Sequence, residues 1–349
     1  MRTKLMQLPR NVLVGEDVIK KACILCRDLK LEGNALVLAG EHTYGIAGKR
    51  VCEVLENDYN VTFNMVKEAS MEEVERVERI IDNGGVNFLV GVGGGKVIDI
   101  AKLASTHRSI EFLSIPTAAS HDGIASSRAS IKHDNSTTSI SARAPIGIIA
   151  DTKIIRKAPY RLMASGCGDI IANYTAVKDW ELARDVKGEE FSEYSSALSL
   201  MTAKIIMDSC DMIKDRSVES IRKVVKALIS SGVAMSIAGS SRPASGSEHK
   251  FSHALDSIAP NPALHGEQCG VGTILMMYLH EGDWSEIRDA LKRIEAPIDA
   301  EGLGIEERYI IKALVKAREI RSSRYTILDE IKLTEKDAAE VCKECGVIR

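Results

Sequence analysis

Three of the eight histidines lie close together in the sequence, in a pattern that suits a metal ion. His249 and His253 are one helical turn apart, so both would lie on the same face of a predicted helix. His265 begins the next apolar segment, after a loop that contains two prolines. Catalytic zinc typically has three protein ligands and one open position, so a carboxylate would complete such a site. The spacing does not select that carboxylate, and a buried or solvated histidine pair is the structural alternative.

A glycine-rich turn indicates a second kind of chemistry. Residues 88–103, FLVGVGGGKVIDIAKL, place four glycines between an apolar strand and an amphipathic helix. Glycine lets the backbone approach a phosphate, and the N-terminus of the following helix attracts its negative charge. The pattern is not GxGxxG, because Lys96 takes the place of the last glycine, and it lacks the Lys-Ser/Thr of a P-loop. It predicts a pyrophosphate site; a turn needed only for backbone geometry is the alternative.

A polar cluster follows the next predicted strand. Residues 116–123 read PTAASHDG. Hydroxyl groups just beyond the carboxyl end of a parallel strand lie where α/β sheets bind their ligands. Thr117 or Ser120 could equally be the N-cap of a helix, and the two interpretations are compatible.

Four of the eight cysteines form two CxxC pairs, Cys23 with Cys26 and Cys342 with Cys345. Four thiolates could hold a structural zinc ion, or the pairs could form disulfides. Both pairs, however, fall in segments with helical periodicity, where such cysteines are often small buried side chains. We therefore expect buried thiols, with a metal or redox role as the alternative.

The composition excludes several classes of protein. A formal charge of −3 over 349 residues leaves no basic surface for nucleic acid. No apolar run reaches the length that crosses a bilayer, so we expect no integral membrane protein. Residues 1–4 are not followed by the apolar core of a signal peptide, and we therefore expect a cytoplasmic location.

The pattern of elements divides the chain into two predicted domains. In residues 1–155, apolar strands at 35–39, 61–66, 88–92, 112–116 and 145–151 alternate with helical patterns at 43–57, 71–82 and 96–106. This alternation predicts a doubly wound, Rossmann-like parallel sheet with helices on both faces, forming a dinucleotide-binding domain. Residues 126–143 are rich in Ser, Thr and charge around Asp134-Asn135-Ser136, which predicts an exposed hairpin or loop.

The second predicted domain, residues 156–349, is all-α and would bind the metal and the substrate. A period of 3.6 residues recurs in seven stretches, at 168–185, 192–214, 217–236, 246–258, 266–280, 284–294 and 306–321. In this reading Asp169 lies near a helix N-terminus, where a carboxylate is favourable in any case.

Taken together, five segments resemble the archaeal glycerol-1-phosphate dehydrogenase family: GVGGGKVIDIAK, SIPTAASHDGIAS, SGCGDIIANY, SRPASGSEHKFSH and LHGEQCGVG. That family belongs to a wider group with glycerol dehydrogenase, iron-containing alcohol dehydrogenases and 3-dehydroquinate synthase. The resemblance covers nearly the whole chain in order. It implies a dehydroquinate synthase-like fold, an α/β domain followed by a helical domain.

The resemblance also implies roles for individual residues. One zinc ion per subunit would be held by Asp169, His249 and His265. The substrate would lie against Asp122, Asp169 and His253, with His253 or Asp122 donating or orienting the proton. The dinucleotide would be contacted by the glycine-rich turn and the cluster that follows it, at Gly93, Gly94, Gly95, Lys96, Val97, Ile98, Asp99, Thr117, Ser120 and Ser126.

The implied reaction is the reversible reduction of dihydroxyacetone phosphate to sn-glycerol 1-phosphate by NADH or NADPH, with zinc polarising the carbonyl group. Its product would supply the glycerophosphate backbone of archaeal-type membrane lipids, and relatives suggest a homo-oligomer. Glu41 favours the free ribose of NAD, and the neighbouring Thr43 could tolerate the phosphate of NADP, so we expect both cofactors to be used. Arg242 is the first choice for the substrate phosphate, with three rivals, Arg128, Lys132 and Arg161.

Two other enzyme classes are alternatives. A glycerol dehydrogenase would share the metal and cofactor but act on the unphosphorylated polyol or ketone. A 3-dehydroquinate synthase-like lyase would need a denser set of Lys and Arg than the sequence offers. A nucleotide-sensing module without activity would be expected to lose the metal ligands.

Overall fold

The computed structural model of the chain describes residues 6–133 and 136–349. In this part of the chain, the strands are β1 (Asn11–Gly15), β2 (Asn34–Ala39), β3 (Asn60–Met65), β4 (Val86–Gly93), β5 (Glu111–Pro116), β6 (Arg128–His133), β7 (Ser136–Ser141) and β8 (Gly147–Asp151). Six of them form one parallel sheet in the order β1-β8-β5-β4-β2-β3. The remaining two, β6 and β7, pair as an antiparallel hairpin.

Helices surround the sheet and then make up the rest of the chain. Those within and just after the sheet are α1 (Ala22–Asp28), α2 (Glu41–Thr43), α3 (Lys49–Leu55), α4 (Met71–Gly84), α5 (Gly95–His107) and α6 (Thr152–Ile155). A single π-helical turn, Tyr44–Gly48, joins α2 to α3.

The helical half follows the last strand. Its helices are α7 (Tyr160–Ile171), α8 (Asn173–Lys187), α9 (Glu193–Met207), α10 (Cys210–Lys214), α11 (Val218–Ala238), α12 (Ser247–Ile258), α13 (His265–Leu279), α14 (Trp284–Arg293), α15 (Ala300–Leu303), α16 (Glu307–Lys316), α17 (Ile327–Glu330) and α18 (Glu335–Glu344). Short 3-10 turns lie at Val18–Lys21, Asp122–Ile124, Arg242–Ala244 and Ala317–Glu319.

The central strands are buried on both faces because they lie between two apolar cores. Along β2, Ala35 and Val37 point into a core shared with α1 and α3. Leu36 and Leu38 point into a larger core that also contains α4, α5 and much of the helical half. Such continuous apolar strands are typical of a parallel sheet covered on both faces. The predicted fold class, a doubly wound sheet followed by an all-α part, is confirmed.

One strand of the sheet was missing from the sequence prediction. The strand β1 pairs in parallel with β8 along its whole length. It has only five residues and lies at the edge of the sheet, so most of its side chains are partly exposed. A short edge strand lacks the buried apolar run by which the other strands were found. The division of domains at 155/156 stays a prediction.

The hairpin predicted for residues 126–143 is present, and two contacts fix it to α5. The ammonium of Lys102, which is fully buried, donates to the carbonyl of Arg128 at 2.5 Å and to Asp99 at 3.0 Å. Asp99 also accepts from the amide of Ser130 at 3.0 Å. The tip of the predicted turn, residues 134–135, lies outside the described residues. The hairpin is thus held on the helix that follows the glycine-rich turn.

All eight cysteines are buried free thiols. Cys23 and Cys26 belong to the core beside α1, whereas Cys342 and Cys345 belong to the other core. The two CxxC pairs therefore share no site, which agrees with the expectation of buried thiols. Among the helices described here, none is both long and apolar enough to cross a bilayer.

Candidate active site

The three residues implied as metal ligands meet in one place, although they come from three different helices. Asp169 lies on α7, His249 on α12 and His265 on α13. The Oδ1 atom of Asp169 lies 3.7 Å from Nε2 of His249 and 3.8 Å from Nε2 of His265. Tetrahedral zinc with bonds of ~2.1 Å separates its ligands by roughly 3.4 Å, so the spacing suits one small cation.

Glycines allow these helices to come so close. A Cβ atom on Gly168 would lie 2.3 Å from the carbonyl oxygen of Gly266, and one on Gly266 only 1.9 Å from that of Ser165. The backbones of α7 and α13 therefore touch where they carry Asp169 and His265. On the other side, a Cβ on Gly166 would meet the carbonyl of Ala119 at 2.2 Å. The SGCGD motif thus brings both α13 and the loop after β5 against α7.

Each predicted ligand is held by a second contact, made through an atom of its side chain that would not bind the metal. Nδ1 of His249 lies 2.8 Å from the buried carboxylate of Glu248, which leaves Nε2 for the ion. Nδ1 of His265 lies 3.1 Å from the hydroxyl of Ser252. The Oδ2 atom of Asp169 accepts from the amide of Asp122 at 3.0 Å. Such partners fix the tautomer and direction of metal ligands.

Asp169 lies in the last turn of α7, and the sequence interpretation that placed it near a helix N-terminus was wrong. From Met163 onward α7 is buried nearly all round, so its apolar residues show no clear face, and the helix seemed to begin later. A carboxylate at a helix C-terminus is disfavoured by the helix dipole. Its presence there needs another cause, and a cation shared with the two facing imidazoles would supply one.

The charges around the site also fit a cation. Burial raises the pKa of Asp169 well above its usual range, and the nearby carboxylates of Asp122 and Glu248 raise it further. Loss of hydration lowers the pKa of His265 to about 3, so its imidazole is neutral. Two neutral imidazoles beside crowded carboxylates are the donor set that zinc prefers. A bound cation would favour the charged form of Asp169.

One further possible donor lies beside this set. The ligand atoms of Asp169, His249, His265 and Cys269 all lie within 4.8 Å of one another. The thiol of Cys269 is 3.6 Å from Nε2 of His265. His265 precedes Cys269 by one helical turn on α13. Burial raises its pKa well above the usual range. Sequence reasoning did not single out Cys269, although its i, i+4 spacing from His265 was available.

The glycine-rich turn lies next to this set. β4 ends at Gly93, and α5 begins at Gly95 with Gly94 extended before it. A Cβ on Gly95 would lie 2.2 Å from Nε2 of His121, so a side chain there would clash with this imidazole ring. The amide of Thr117 donates to the carbonyl of Gly93 at 3.0 Å, which joins the turn to the loop after β5.

Other residues predicted to bind the cofactor have structural contacts of their own. Val97 and Ile98 are buried in the core under the turn. The ammonium of Lys96 donates to the carbonyl of Lys67 at 2.8 Å. The hydroxyl of Ser126 accepts weakly from the amide of Arg128 at 3.4 Å, while Ser120 lies partly exposed in the loop after β5.

A cleft of about 870 Å³ opens beside the turn and is lined by residues 40–43, 65–67 and 94–97. It lies at the carboxyl ends of β2 and β4, where doubly wound sheets bind nucleotides. Glu41 and His42 at its rim are exposed. The hydroxyl of Thr43, in contrast, donates to the carbonyl of Val92 at 3.0 Å and accepts from the amide of Gly40. It is therefore not available to a 2′-phosphate.

The residues predicted to touch the substrate line a second cleft, together with the three metal ligands. Oδ2 of Asp122 accepts from the hydroxyl of Ser231 at 2.9 Å, and loss of hydration raises the pKa of Asp122 to about 6. His253 projects from α12 with its ring centroid 5.8 Å from that of His265. Its Nε2 atom lies 3.1 Å from a guanidinium nitrogen of Arg321. Because arginine only donates, this bond places the ring proton on Nδ1.

Of the four cations considered for the substrate phosphate, only Arg128 lines this cleft. Arg242 is buried and binds Glu189 through two guanidinium nitrogens and the carbonyl of Tyr325 through the third. Arg161 forms a two-bond ion pair with Glu267 at 2.6 and 2.7 Å. The side chain of Lys132 is exposed. Arg321, which sequence reasoning missed, is the second arginine in the cleft.

Comparison with known proteins shows that this fold occurs in dehydrogenases and reductases of known structure. Residues 13–159 match the family model described as iron-containing alcohol dehydrogenase. The crystal structure of a probable glycerol dehydrogenase from Sinorhizobium meliloti has the same fold, with a TM-score of 0.80, 19% identity and coverage of 99% and 100% of the two chains. A sulfoacetaldehyde reductase from Bifidobacterium kashiwanohense in complex with NAD+ has a TM-score of 0.77, 15% identity and full coverage of both chains.

More similar sequences narrow the class. The glycerol-1-phosphate dehydrogenase, NAD(P)+, of Methanosarcina acetivorans is 58% identical over 99% of this chain and 97% of its own length. The protein of the same name from Methanothermobacter thermautotrophicus is 56% identical over the full length of both chains. The chain therefore belongs to the glycerol-1-phosphate dehydrogenase family.

Proposed function

We propose that this protein catalyses the reversible reduction of dihydroxyacetone phosphate to sn-glycerol 1-phosphate with NADH or NADPH. The observation that carries the proposal is that Asp169, His249 and His265 meet in one cleft, and that His121, which also lines this cleft, lies against Gly95 of the glycine-rich turn. A hydride donor and a carbonyl-activating cation could both be placed there. The names of the full-length relatives support the same reaction.

In this proposal the two halves of the chain have separate tasks. Asp169, His249 and His265 would hold zinc, which when bound supplies a Lewis acid for the ketone oxygen. The turn that ends at Gly95 would place the dinucleotide so that its nicotinamide reaches the same cleft. Both tasks depend on the close contact between α7 and the loop after β5, which fixes the distance between the two binding sites.

Asp122 and His253 would control the proton that the product oxygen requires. Asp122 is held by two hydrogen bonds. Its amide donates to the carboxylate of Asp169, and its own carboxylate accepts from the hydroxyl of Ser231. His253 carries its ring proton on Nδ1, since Nε2 faces Arg321, and this Nδ1 atom is buried 3.7 Å from Oδ2 of Asp256. A group fixed in this way can donate to the product oxygen directly or through one water molecule. We propose both residues as proton donors or orienters.

We also propose a cellular setting for this reaction. A cytoplasmic homo-oligomer that binds small molecules and no nucleic acid agrees with the charge of −3 and with the membership of a biosynthetic enzyme family. Its product would enter the glycerophosphate backbone of archaeal-type lipids.

A direct assay tests the proposed reaction. Oxidation of NADH and of NADPH should be followed with dihydroxyacetone phosphate and, in parallel, with dihydroxyacetone, before and after treatment with a chelator. We expect the phosphorylated ketone to be preferred, activity to fall with the chelator and return with zinc, and chiral analysis to give the sn-1 product. Preference for dihydroxyacetone would support the glycerol dehydrogenase alternative instead.

A further inference from the structure

Two arginines line the cleft that holds the residues predicted to touch the substrate. Arg128 comes from the hairpin strand β6, and Arg321 from the segment that follows the 3-10 turn Ala317–Glu319. Both also line the outer extension of the cleft, where His253 is again present. Arg321 reaches Nε2 of His253 at 3.1 Å. Both arginines therefore line the same cleft as the predicted metal ligands, and Arg321 does so in contact with His253.

Within residues 6–133 and 136–349, neither arginine has a carboxylate at ion-pair distance. Arg128 donates to the hydroxyl of Ser139 at 3.2 Å and to its carbonyl at 2.8 Å. Apart from His253, Arg321 reaches only the hydroxyl of Ser245, at 3.5 Å. By contrast, Arg161 and Arg242 each hold a carboxylate through two nitrogens. Partly buried arginines are rarely left with neutral partners alone.

The two positive charges also repel each other. Loss of hydration lowers the pKa of Arg321, and the charge of Arg128 lowers it further. Arg324 lies behind them, with its guanidinium bound to the backbone of Ser245 and the hydroxyl of Ser241. Since Arg128 and Arg321 have no carboxylate at ion-pair distance among the described residues, an anion bound between them would relieve their repulsion.

The backbone is fixed at both arginines. Arg321 has a φ of +47°, in the left-handed region that non-glycine residues rarely adopt. On the other side, the carbonyl of Arg128 is held by the buried ammonium of Lys102. Each guanidinium is therefore presented from a fixed backbone, as a pre-organised binding site requires.

We propose that Arg128 and Arg321 bind the phosphate group of the substrate and so determine the preference for a phosphorylated three-carbon ketone. This inference depends on the proposed function. The contacts within the cleft support it: the ring of His265 lies 5.8 Å from that of His253, and Arg321 contacts His253 at 3.1 Å. A short phosphorylated ketone bound with its carbonyl at the metal ligands would place its phosphate toward the arginines. Guanidinium groups bind phosphate oxygens through paired, charge-assisted hydrogen bonds.

Four single variants test the proposal. Arg321→Met and Arg128→Met keep an apolar stem and remove the charge. Arg318→Met is the matched control on the same segment, because Arg318 is exposed and lies 3.9 Å from Asp329 in another groove. Lys132→Met is the control on the hairpin. For each protein with zinc bound, kcat and KM are measured with dihydroxyacetone phosphate and with dihydroxyacetone.

We expect each arginine variant to raise KM for dihydroxyacetone phosphate about 10- to 100-fold, as loss of a charged hydrogen bond does. The weaker reaction of dihydroxyacetone should not change, because that substrate has no phosphate. Arg321→Lys should recover part of the loss. The two control variants should resemble the wild type. Equal losses on both ketones, or no loss on either, would overturn the proposal.

A binding measurement separates this role from a structural one. Inorganic phosphate should inhibit the wild type competitively against dihydroxyacetone phosphate, and its inhibition constant should rise in both arginine variants. The melting temperature of the variants without ligand should not fall, since one of two repelling charges has been removed. A lower melting temperature with an unchanged inhibition constant would show that the arginines serve only the fold.

Failure of the proposed function and failure of the phosphate site would give different results. A wild type that does not prefer the phosphorylated ketone would refute the proposed function itself. A wild type with that preference, combined with arginine variants that keep it, would refute only the assignment of the phosphate site.

Discussion

At the scale of residues, the candidate metal site consists of ligands that are each held by a second contact. Nε2 of both histidines and Oδ1 of Asp169 face one point, while Glu248, Ser252 and the amide of Asp122 occupy the opposite atoms. Motif resemblance pointed to the three ligands in the sequence. It gave no sign of the atoms behind them, because Glu248 and Ser252 are ordinary helix residues until the structure shows where they point.

Replacing a ligand should separate metal binding from cofactor binding. In His265→Ala we expect loss of bound zinc and of turnover, because two ligands cannot hold the ion at a catalytic site. Affinity for NADH, followed by its fluorescence, should stay near that of the wild type. His107→Gln is a suitable control, since His107 lies at the end of α5 beside Glu78, outside the cleft. A mutant that keeps its turnover would remove the proposed metal role.

Glu248, which contacts the predicted ligand His249, should also affect metal affinity. Glu248→Gln keeps the shape of the side chain and removes the charge that orients His249. Outer partners of this kind typically contribute 10- to 100-fold to metal affinity. We therefore expect chelators to remove zinc from Glu248→Gln at roughly 10- to 100-fold lower concentration, with NADH binding unchanged. Equal resistance to chelation would show that Glu248 only supports packing.

The buried cysteines should be inert. Burial raises the pKa of Cys26, Cys342 and Cys345 to about 12, so the reactive thiolate is scarce at pH 8. We expect iodoacetamide to modify these residues only after unfolding in urea, as measured by mass spectrometry. Fast alkylation of the native protein, or zinc released on their alkylation, would favour the metal or redox role that CxxC spacing allows.

At the scale of elements, the position of the site depends on how closely helices can approach. Periodicity predicted most helices, because each has one apolar face. It also predicted the buried strands, because they are apolar on both faces. It misplaced the start of α7, which is buried nearly all round, and it missed the edge strand β1. The glycines of SGCGD appeared only as part of a motif, although they set the distance between α7 and α13.

A methyl group at this helix contact should disturb the site without touching a ligand. In Gly266→Ala the new Cβ would lie 1.9 Å from the carbonyl of Ser165, so α7 and α13 must separate. We expect the free energy of unfolding to fall by ~1–3 kcal/mol and zinc affinity to fall with it. Gly45→Ala is the control, because nothing lies within 4 Å of its Cβ position. Urea unfolding and zinc titration of both variants test this, and equal behaviour would contradict the packing argument.

At the scale of the whole molecule, the predicted metal ligands and the residues predicted to touch the substrate line one cleft, although they come from distant parts of the chain. The fold could be predicted because strand and helix patterns change in character after the last strand of the sheet. The juxtaposition of sites could not, since Asp122, Asp169 and Arg321 are brought together by contacts between distant segments. The proposed phosphate site shows this most clearly. Arg242 lies shortly before α12 in the sequence, but its guanidinium is already bound to Glu189.

Metal binding should stabilise the folded chain as a whole. The three ligands come from helices that belong to the same large core, so a bound ion would connect elements that separate on unfolding. Zinc at 100 times its Kd would add about 2.7 kcal/mol to the free energy of unfolding. We expect the melting temperature in calorimetry to rise with zinc, to fall with chelator, and to show neither change in His265→Ala. A zinc-dependent shift that persists in that variant would place the ion elsewhere.

The most direct measurement is a diffraction experiment on crystals grown with zinc, using anomalous scattering on both sides of the zinc absorption edge. We predict one strong peak per chain, within bonding distance of Oδ1 of Asp169 and Nε2 of His249 and His265. A fully zinc-loaded crystal with no peak between these atoms, or with its peak at the cysteine pairs, would contradict the account.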